Sequence, residues 1–207
     1  MRALLKVLVA LLSVLGAISV GLAVWLLSNG ISAQPDPSRL EVAFARRLRS
    51  WMIPSSARER PNPVPPGAEA LEAGLEHFAD HCAVCHANDG SGRVDIGQNL
   101  YPRAPDMRSE ETQSLSDGAL FYIIEEGVRL TGMPGWKTGT PEGERESWRL
   151  VHFIRHLPRL TDEERRRMER LNPRTAEEWR KEQEIQRFLA GDDRDSASGA
   201  EHERGHK

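Results

Sequence analysis

The pattern of apolar and polar positions divides the chain into stretches of different character. From Val7 to Leu27 no residue is charged. As a helix that run spans roughly 31 Å, enough to cross a hydrocarbon core of about 30 Å. Arg2 and Lys6 precede it and favour a cytoplasmic N-terminus, although Arg39, Arg46, Arg47 and Arg49 on the far side weaken the asymmetry. A cleaved signal peptide is the alternative, but its apolar region usually runs about 7–15 residues. A cut after Ala33 would also leave Ile31 at a position that prefers a small residue. The expectation is a retained transmembrane anchor over residues 1–30, with the rest of the chain outside the cytoplasm.

Over residues 31–66 the pattern changes twice. Leu40, Phe44, Leu48 and Trp51 or Met52 recur at helical spacing with arginines between them. Such a helix suits the headgroup level of a membrane or the surface of a downstream domain. "ARERPNPVPPG" then reads as a stiff, extended linker. Gly67 marks the expected start of a globular domain.

Three helical patterns and almost no strand pattern occupy residues 67–160. Leu71, Leu75, Phe78 and Cys82 fall on one helical face. Ser116 caps a second pattern carrying Leu120, Ile123, Ile124 and Gly127. The glycine- and proline-rich loop "RLTGMPGW" follows, and a third helix carries Leu150, Phe153, Ile154 and Leu157. Residues 161–190 read as a charged helical extension with two capping boxes, Thr161 with Glu164 and Thr175 with Glu178. Residues 191–207 read as a disordered polar tail, His202 and His206 included.

The net charge of −3 gives no reason to expect a nucleic-acid partner. The chain's two cysteines, by contrast, narrow the chemistry. Both lie in "HCAVCHANDG", two residues apart, with His86 directly after the second. A zinc site would need further ligands at a useful spacing. A thioredoxin-like pair would want alternating strands and helices. The remaining reading is C-x-x-C-H haem attachment, in which one helical turn presents both thiols to the porphyrin and places the imidazole under the iron.

With these flanks the chain resembles the small single-haem class I cytochromes c, over roughly residues 67–159. Gly74 and Phe78, four apart and ahead of Cys82, match that family's N-terminal helix; Leu150 and Phe153 match the helix that crosses it. The resemblance implies an all-α haem domain, to which the patterning adds an N-terminal transmembrane helix and a charged helical C-terminal extension. It implies one covalent haem c on Cys82 and Cys85, with His86 and Met133 as iron ligands. Pro105 would support the His86 ring, with Pro102 as runner-up. Tyr101, Arg103 and Trp136 are candidate propionate partners, and Met107 is the rival methionine. Leu75, Phe78, Leu100, Leu120, Ile124, Trp136 and Phe153 would shape the apolar shell. His77, His81, His152 and His156 are read as exposed or partly packed. The implied function is one-electron transfer rather than catalysis, on the outer face of the cytoplasmic membrane. Partners would be a membrane complex, an exported dehydrogenase or a terminal oxidase. The competing reading is a peroxidase-like or gas-sensing haem protein with a displaceable methionine.

Overall fold

The computed structural model describes residues 2–29, 32–33, 35–174 and 176–189. These residues form helices and connecting loops, with no strand among them. Thr175 and the tail, with His202 and His206, lie outside the described residues. Helix α1, Arg2–Asn29, is exposed along its described length, and its Arg2–Ser28 span is long and apolar enough to cross a membrane. Helix α2, Arg39–Met52, is capped by the Ser38 hydroxyl, which accepts from the Glu41 amide at 3.2 Å. A single turn, α3, follows at Ser55–Arg58.

The core forms where α4, Ala68–His77, crosses α9, Pro141–His156. Gly74 makes this crossing possible. A Cβ there would lie 2.5 Å from the Arg149 carbonyl oxygen and 2.9 Å from the Phe153 Cβ, so only a glycine lets the backbones meet. One turn on, Phe78 and Phe153 pack as a tilted pair with centroids 5.1 Å apart, both fully buried. Leu75, Leu150, Val151 and Leu157 complete that layer. Helix α8, Asp117–Glu126, closes it with Leu120, Phe121 and Ile124, and Phe121 stacks on Trp148 at 4.0 Å. Two single turns, α6 at Asp95–Gln98 and α7 at Glu110–Gln113, lie in the long connection to α8.

Three features depart from the sequence reading. The pattern through Cys82 predicts one regular helix, but residues Phe78–Cys82 form a π turn, in which the Ala83 amide donates back to the Phe78 carbonyl. The turn shifts the register just before α5, Ala83–His86, so the cysteine pair starts from a displaced helical face.

The proline-rich stretch is extended, yet it is fastened to the domain rather than free. Ile53 is buried, and Gly118 lies directly against the Ala57 carbonyl. The Ser116 hydroxyl donates to the Arg58 carbonyl at 2.7 Å, and the Asn62 amide donates to the Trp148 carbonyl at 3.1 Å. Arg60 lies over Phe121 and Trp148 and pairs with Glu144. His152 bonds the Val64 carbonyl at 2.8 Å. Most of these anchors use a backbone carbonyl, which leaves no apolar periodicity to read.

The charged extension also begins as core. Helix α10, Asp162–Leu171, buries Met168 completely and packs on the π turn. Arg167 pairs with Glu72 and, at 3.2 Å, with Glu76. With its amide oriented to satisfy both groups, Asn172 exchanges 2.9 Å hydrogen bonds with Asn88 and donates to the Ala79 carbonyl at 3.1 Å. Helix α11, Ala176–Leu189, exposes Trp179, Ile185 and Phe188.

Two outcomes follow for stability. Gly74→Ala should cost about 1–3 kcal/mol, the usual range for overpacking, in denaturant unfolding. The Thr161–Glu164 capping box should behave differently. Burial alone would raise the Glu164 carboxyl. Hydrogen bonds from the Thr161 amide, His156 and the Thr161 hydroxyl together outweigh it and hold the group below its usual range. A depressed folded pKa contributes stability above the unfolded value and loses it as the pH falls through the folded one. Glu164→Gln should therefore cost about 1 kcal/mol at pH 7, and its difference from the parent should shrink below about pH 4.

Candidate functional site

The site is built on the turn where the core helix ends. The π turn delivers Cys82, and α5 presents Cys85 and His86 within the next turn. Both cysteines are free thiols and half-buried. Burial pushes the Cys82 thiol up to about 12, with the neighbouring Cys85 adding to it, and raises Cys85 as well. A redox-active dithiol is activated in the opposite direction, by a lowered pKa. Among the described residues no group of three or more His, Cys, Asp or Glu side chains is placed to hold a metal ion, so the zinc reading lacks its ligands.

His86 is 7% exposed. Burial pushes its imidazole down to about 4, against the smaller opposing pull of the Pro105 backbone, which in proline can only be the carbonyl. The ring is therefore neutral at pH 7 and keeps a lone pair for a Lewis acid. Its Nδ1 is buried without a hydrogen bond of regular geometry, although the Pro105 carbonyl lies close enough to influence the ring.

The loop behind the motif is braced by glycines where the backbones touch. The Gly92 amide donates to the His86 carbonyl at 2.8 Å, and the Gln98 side-chain amide donates to the Gly92 carbonyl at 2.7 Å. Gly97, in α6, sits directly on the Cys85 carbonyl, so no side chain fits there. The Ala104 amide then donates to the Gly97 carbonyl at 2.9 Å, which brings the chain around to Pro105. Met107 donates its amide to the Gly90 carbonyl at 2.7 Å and packs at the core edge.

Met133 sits in a closed loop between α8 and α9. The Val128 amide donates to the Met133 carbonyl at 3.1 Å, and the Met133 amide donates to the Thr131 hydroxyl at 3.1 Å. The Trp136 and Lys137 amides donate to the Ile124 and Glu125 carbonyls at 2.9 and 3.2 Å, which ties the loop's end back to α8. Gly127 is the pivot: its φ is +70°, and a Cβ there would fall 2.6 Å from the Gly135 nitrogen and the Pro134 carbonyl carbon. Contacts on two sides locate the loop relative to the cysteine motif. Trp136 packs edge-on against His81 at 5.3 Å, and Gly132 lies against the Leu100 side chain, just beyond α6. Leu75, Phe78, Leu120, Ile124 and Phe153 belong to the buried cluster, with Trp136 packed beside it.

The remaining candidates point elsewhere. The Tyr101 hydroxyl donates to Glu41 and Arg103 pairs with Asp36 at 3.1 Å, both partners lying in the segment around α2. His77 and His81 pack together at 4.8 Å, while His156 bonds Glu164 at 2.9 Å. The glycine collar around Met133 and the Asn88–Asn172 pair beside the motif carry positional roles that residue type alone does not announce. Repeated glycine at 127, 132 and 135 is the signal that pointed to the former.

Two unpaired thiols on adjacent turns, a buried neutral imidazole beside the Pro105 carbonyl, and a methionine on a pinned loop form a donor set suited to a thioether-linked haem. Residues 69–154 match the family model described as cytochrome C oxidase, cbb3-type, subunit III. No curated protein matches the chain. The matched segment begins on α4, includes both cysteines and Met133, and ends on α9. Residues 69–154 thus match a class I c-type cytochrome domain, which implies a covalently bound c-type haem.

Proposed function

We propose that this protein is a one-electron carrier whose c-type haem is held by Cys82 and Cys85 and ligated by His86 and Met133. The observation that carries the reading is the neutral, buried His86 directly after two unpaired thiols. A c-type haem supplies a reversible one-electron couple. The protein's own residues fix the conditions under which that couple operates. Cys82 and Cys85 consume both thiols of the chain. Burial keeps His86 unprotonated and the Pro105 carbonyl orients its ring. Met133 offers a soft, neutral thioether, which favours the reduced metal, from a loop whose backbone hydrogen bonds are already made. Leu75, Phe78, Leu120, Ile124 and Phe153 exclude water and disfavour added positive charge, which acts in the same direction.

The tether belongs to the same reading. Helix α1 acts as a retained anchor, with the haem domain on the extracytoplasmic side. Its partners are redox proteins at or near that membrane.

Optical spectra and potentiometry of the full chain test the ligand set. Met133→Ala should abolish the methionine-to-iron charge-transfer band, admit carbon monoxide to the reduced protein and lower the potential by on the order of 0.1 V, a fraction of the roughly 0.8 V that axial ligands span. An unchanged spectrum and potential would remove Met133 from the metal. Gly127→Ala should give a graded version of that outcome. The added methyl meets the Pro134–Gly135 backbone, and φ +70° with ψ −168°, a region essentially confined to glycine, adds about 1–3 kcal/mol of strain. The charge-transfer band should weaken while haem remains attached after denaturing extraction.

A further inference from the structure

Helix α2 has two faces with different fates. Val42 and Arg49 are half-buried, and Ile53, one residue past the helix, is 3% exposed; this side lies on the haem domain. Arg46 donates to Glu111 at 2.6 Å on the same side. Glu41 accepts from Tyr101, and Asp36 just ahead of the helix pairs with Arg103 at 3.1 Å. The Arg58 guanidinium donates to the Ser50 carbonyl at 3.2 Å and ties the helix end to the strap.

The other face is largely apolar and open, with Glu41 its one charged residue. Leu40 is 84% exposed, Phe44 69%, Trp51 67%, Met52 59% and Leu48 40%. At 100° per residue these five positions fall within one third of the helix circumference, and Glu41, its carboxylate held by the Tyr101 hydroxyl, falls in the same third. Arg47 flanks them and lies over the Trp51 ring at 5.2 Å. The helix holds four arginines and one acid, Glu41, which is already engaged by Tyr101. Only residues 30–38 separate it from α1, a distance of at most roughly 33 Å when fully extended.

We propose that α2 is an interfacial membrane helix: its apolar face inserts at the headgroup level of the bilayer that α1 enters, while its opposite face carries the haem domain. The proposal rests on α1 being a retained anchor. The occupant is lipid because the apolar face lies a short linker away from α1, and Arg47, flanking it over the Trp51 indole, complements anionic headgroups above an acyl boundary. A second copy would instead bring the Arg47 charges of both helices to one apolar seam. The consequence is functional. The haem domain does not swing on a free linker; it is held in one orientation on the membrane, presenting a fixed side to its redox partners.

The test uses the full haem-loaded chain in vesicles of phosphatidylcholine with anionic phosphatidylglycerol. Nitroxide labels are placed singly by Phe44→Cys, Leu48→Cys and, on the polar side, Ser50→Cys. Flotation with the vesicles reads the anchor separately, so failure of α1 to hold the membrane is seen before any label is measured. In floated protein, labels at 44 and 48 should be several-fold more accessible to oxygen and less accessible to an aqueous nickel complex than the label at 50. Equal nickel accessibility at all three sites would overturn the proposal. So would nickel exclusion accompanied by dipolar broadening between copies, which would mean a protein-covered face.

A second measurement covers variants that perturb the helix. In oriented bilayers the parent should show optical dichroism of its haem band. The double variant Phe44→Glu/Leu48→Glu should keep its spectrum and its flotation but lose at least half of that dichroism. Unchanged dichroism would overturn the orienting role.

Discussion

The close approach of α4 and α9 at Gly74 is the constraint on which the rest depends. The backbone of one helix rests on the Arg149 carbonyl of the other, leaving no room for a methyl group. Phe78 and Phe153 then fill the crossing and fix its position along both helices. Everything functional is measured from that point. The π turn begins at Phe78 itself and ends at Cys82, so the residue that locks the crossing also starts the displacement that delivers the motif. Helix α8 and the methionine loop lie on the same aromatic layer through Leu120, Phe121 and Ile124. A small domain can place two ends of a donor set on different segments because both are referred to one rigid junction.

The rigidity is shared between side chains and backbone. Apolar contacts dominate the crossing, but the loops around the motif are held by main-chain hydrogen bonds and by glycines at contact points. Gly92 and Gly97 bring the proximal loop onto the motif, and Gly127 brings the methionine loop onto itself. At these positions the sequence uses absence of a side chain as its structural information. Loops closed in this way have paid their ordering entropy on folding, so little further reorganisation accompanies a change of charge at the centre.

Much of this was legible in advance because it is local. Helix-period patterns place the core faces of α8 and α9, Ser116 announces its cap, and Thr161 with Glu164 announces the capping box. Adjacency alone groups Cys82, Cys85 and His86. What could not be read is long-range and carried by polar or backbone groups. Nothing in "ARERPNPVPPG" shows that Gly118 will seat the Ala57 carbonyl or that Trp148 will offer its carbonyl to Asn62. Met168 stands alone among charges, so its complete burial on the π turn has no periodic signature. Tyr101 and Arg103 look like partners for an anionic cofactor edge until Glu41 and Asp36 arrive from another part of the chain. The π turn is likewise invisible, because a one-residue register shift leaves composition unchanged.

If α1 is the retained anchor proposed above, the fastened strap changes what the tether does. If residues 30–66 were free, those 37 positions could let the domain range about 120 Å from the end of α1. With α2 and residues 53–64 held on the domain, only residues 30–38 remain between α1 and the fastened body, a reach of roughly 33 Å. Effective concentration falls roughly as the −3/2 power of linker length once the span can be bridged. With α1 as the proposed anchor, shortening the free segment about fourfold would therefore concentrate the domain about eightfold near the membrane surface. That gain comes with a restriction: a short tether serves partners embedded in the same membrane and penalises those that must be met farther out. On the proposed reading of α1 as an anchor, the hydrogen bonds along the polar, proline-rich strap thus favour nearby, membrane-held partners over diffusing ones.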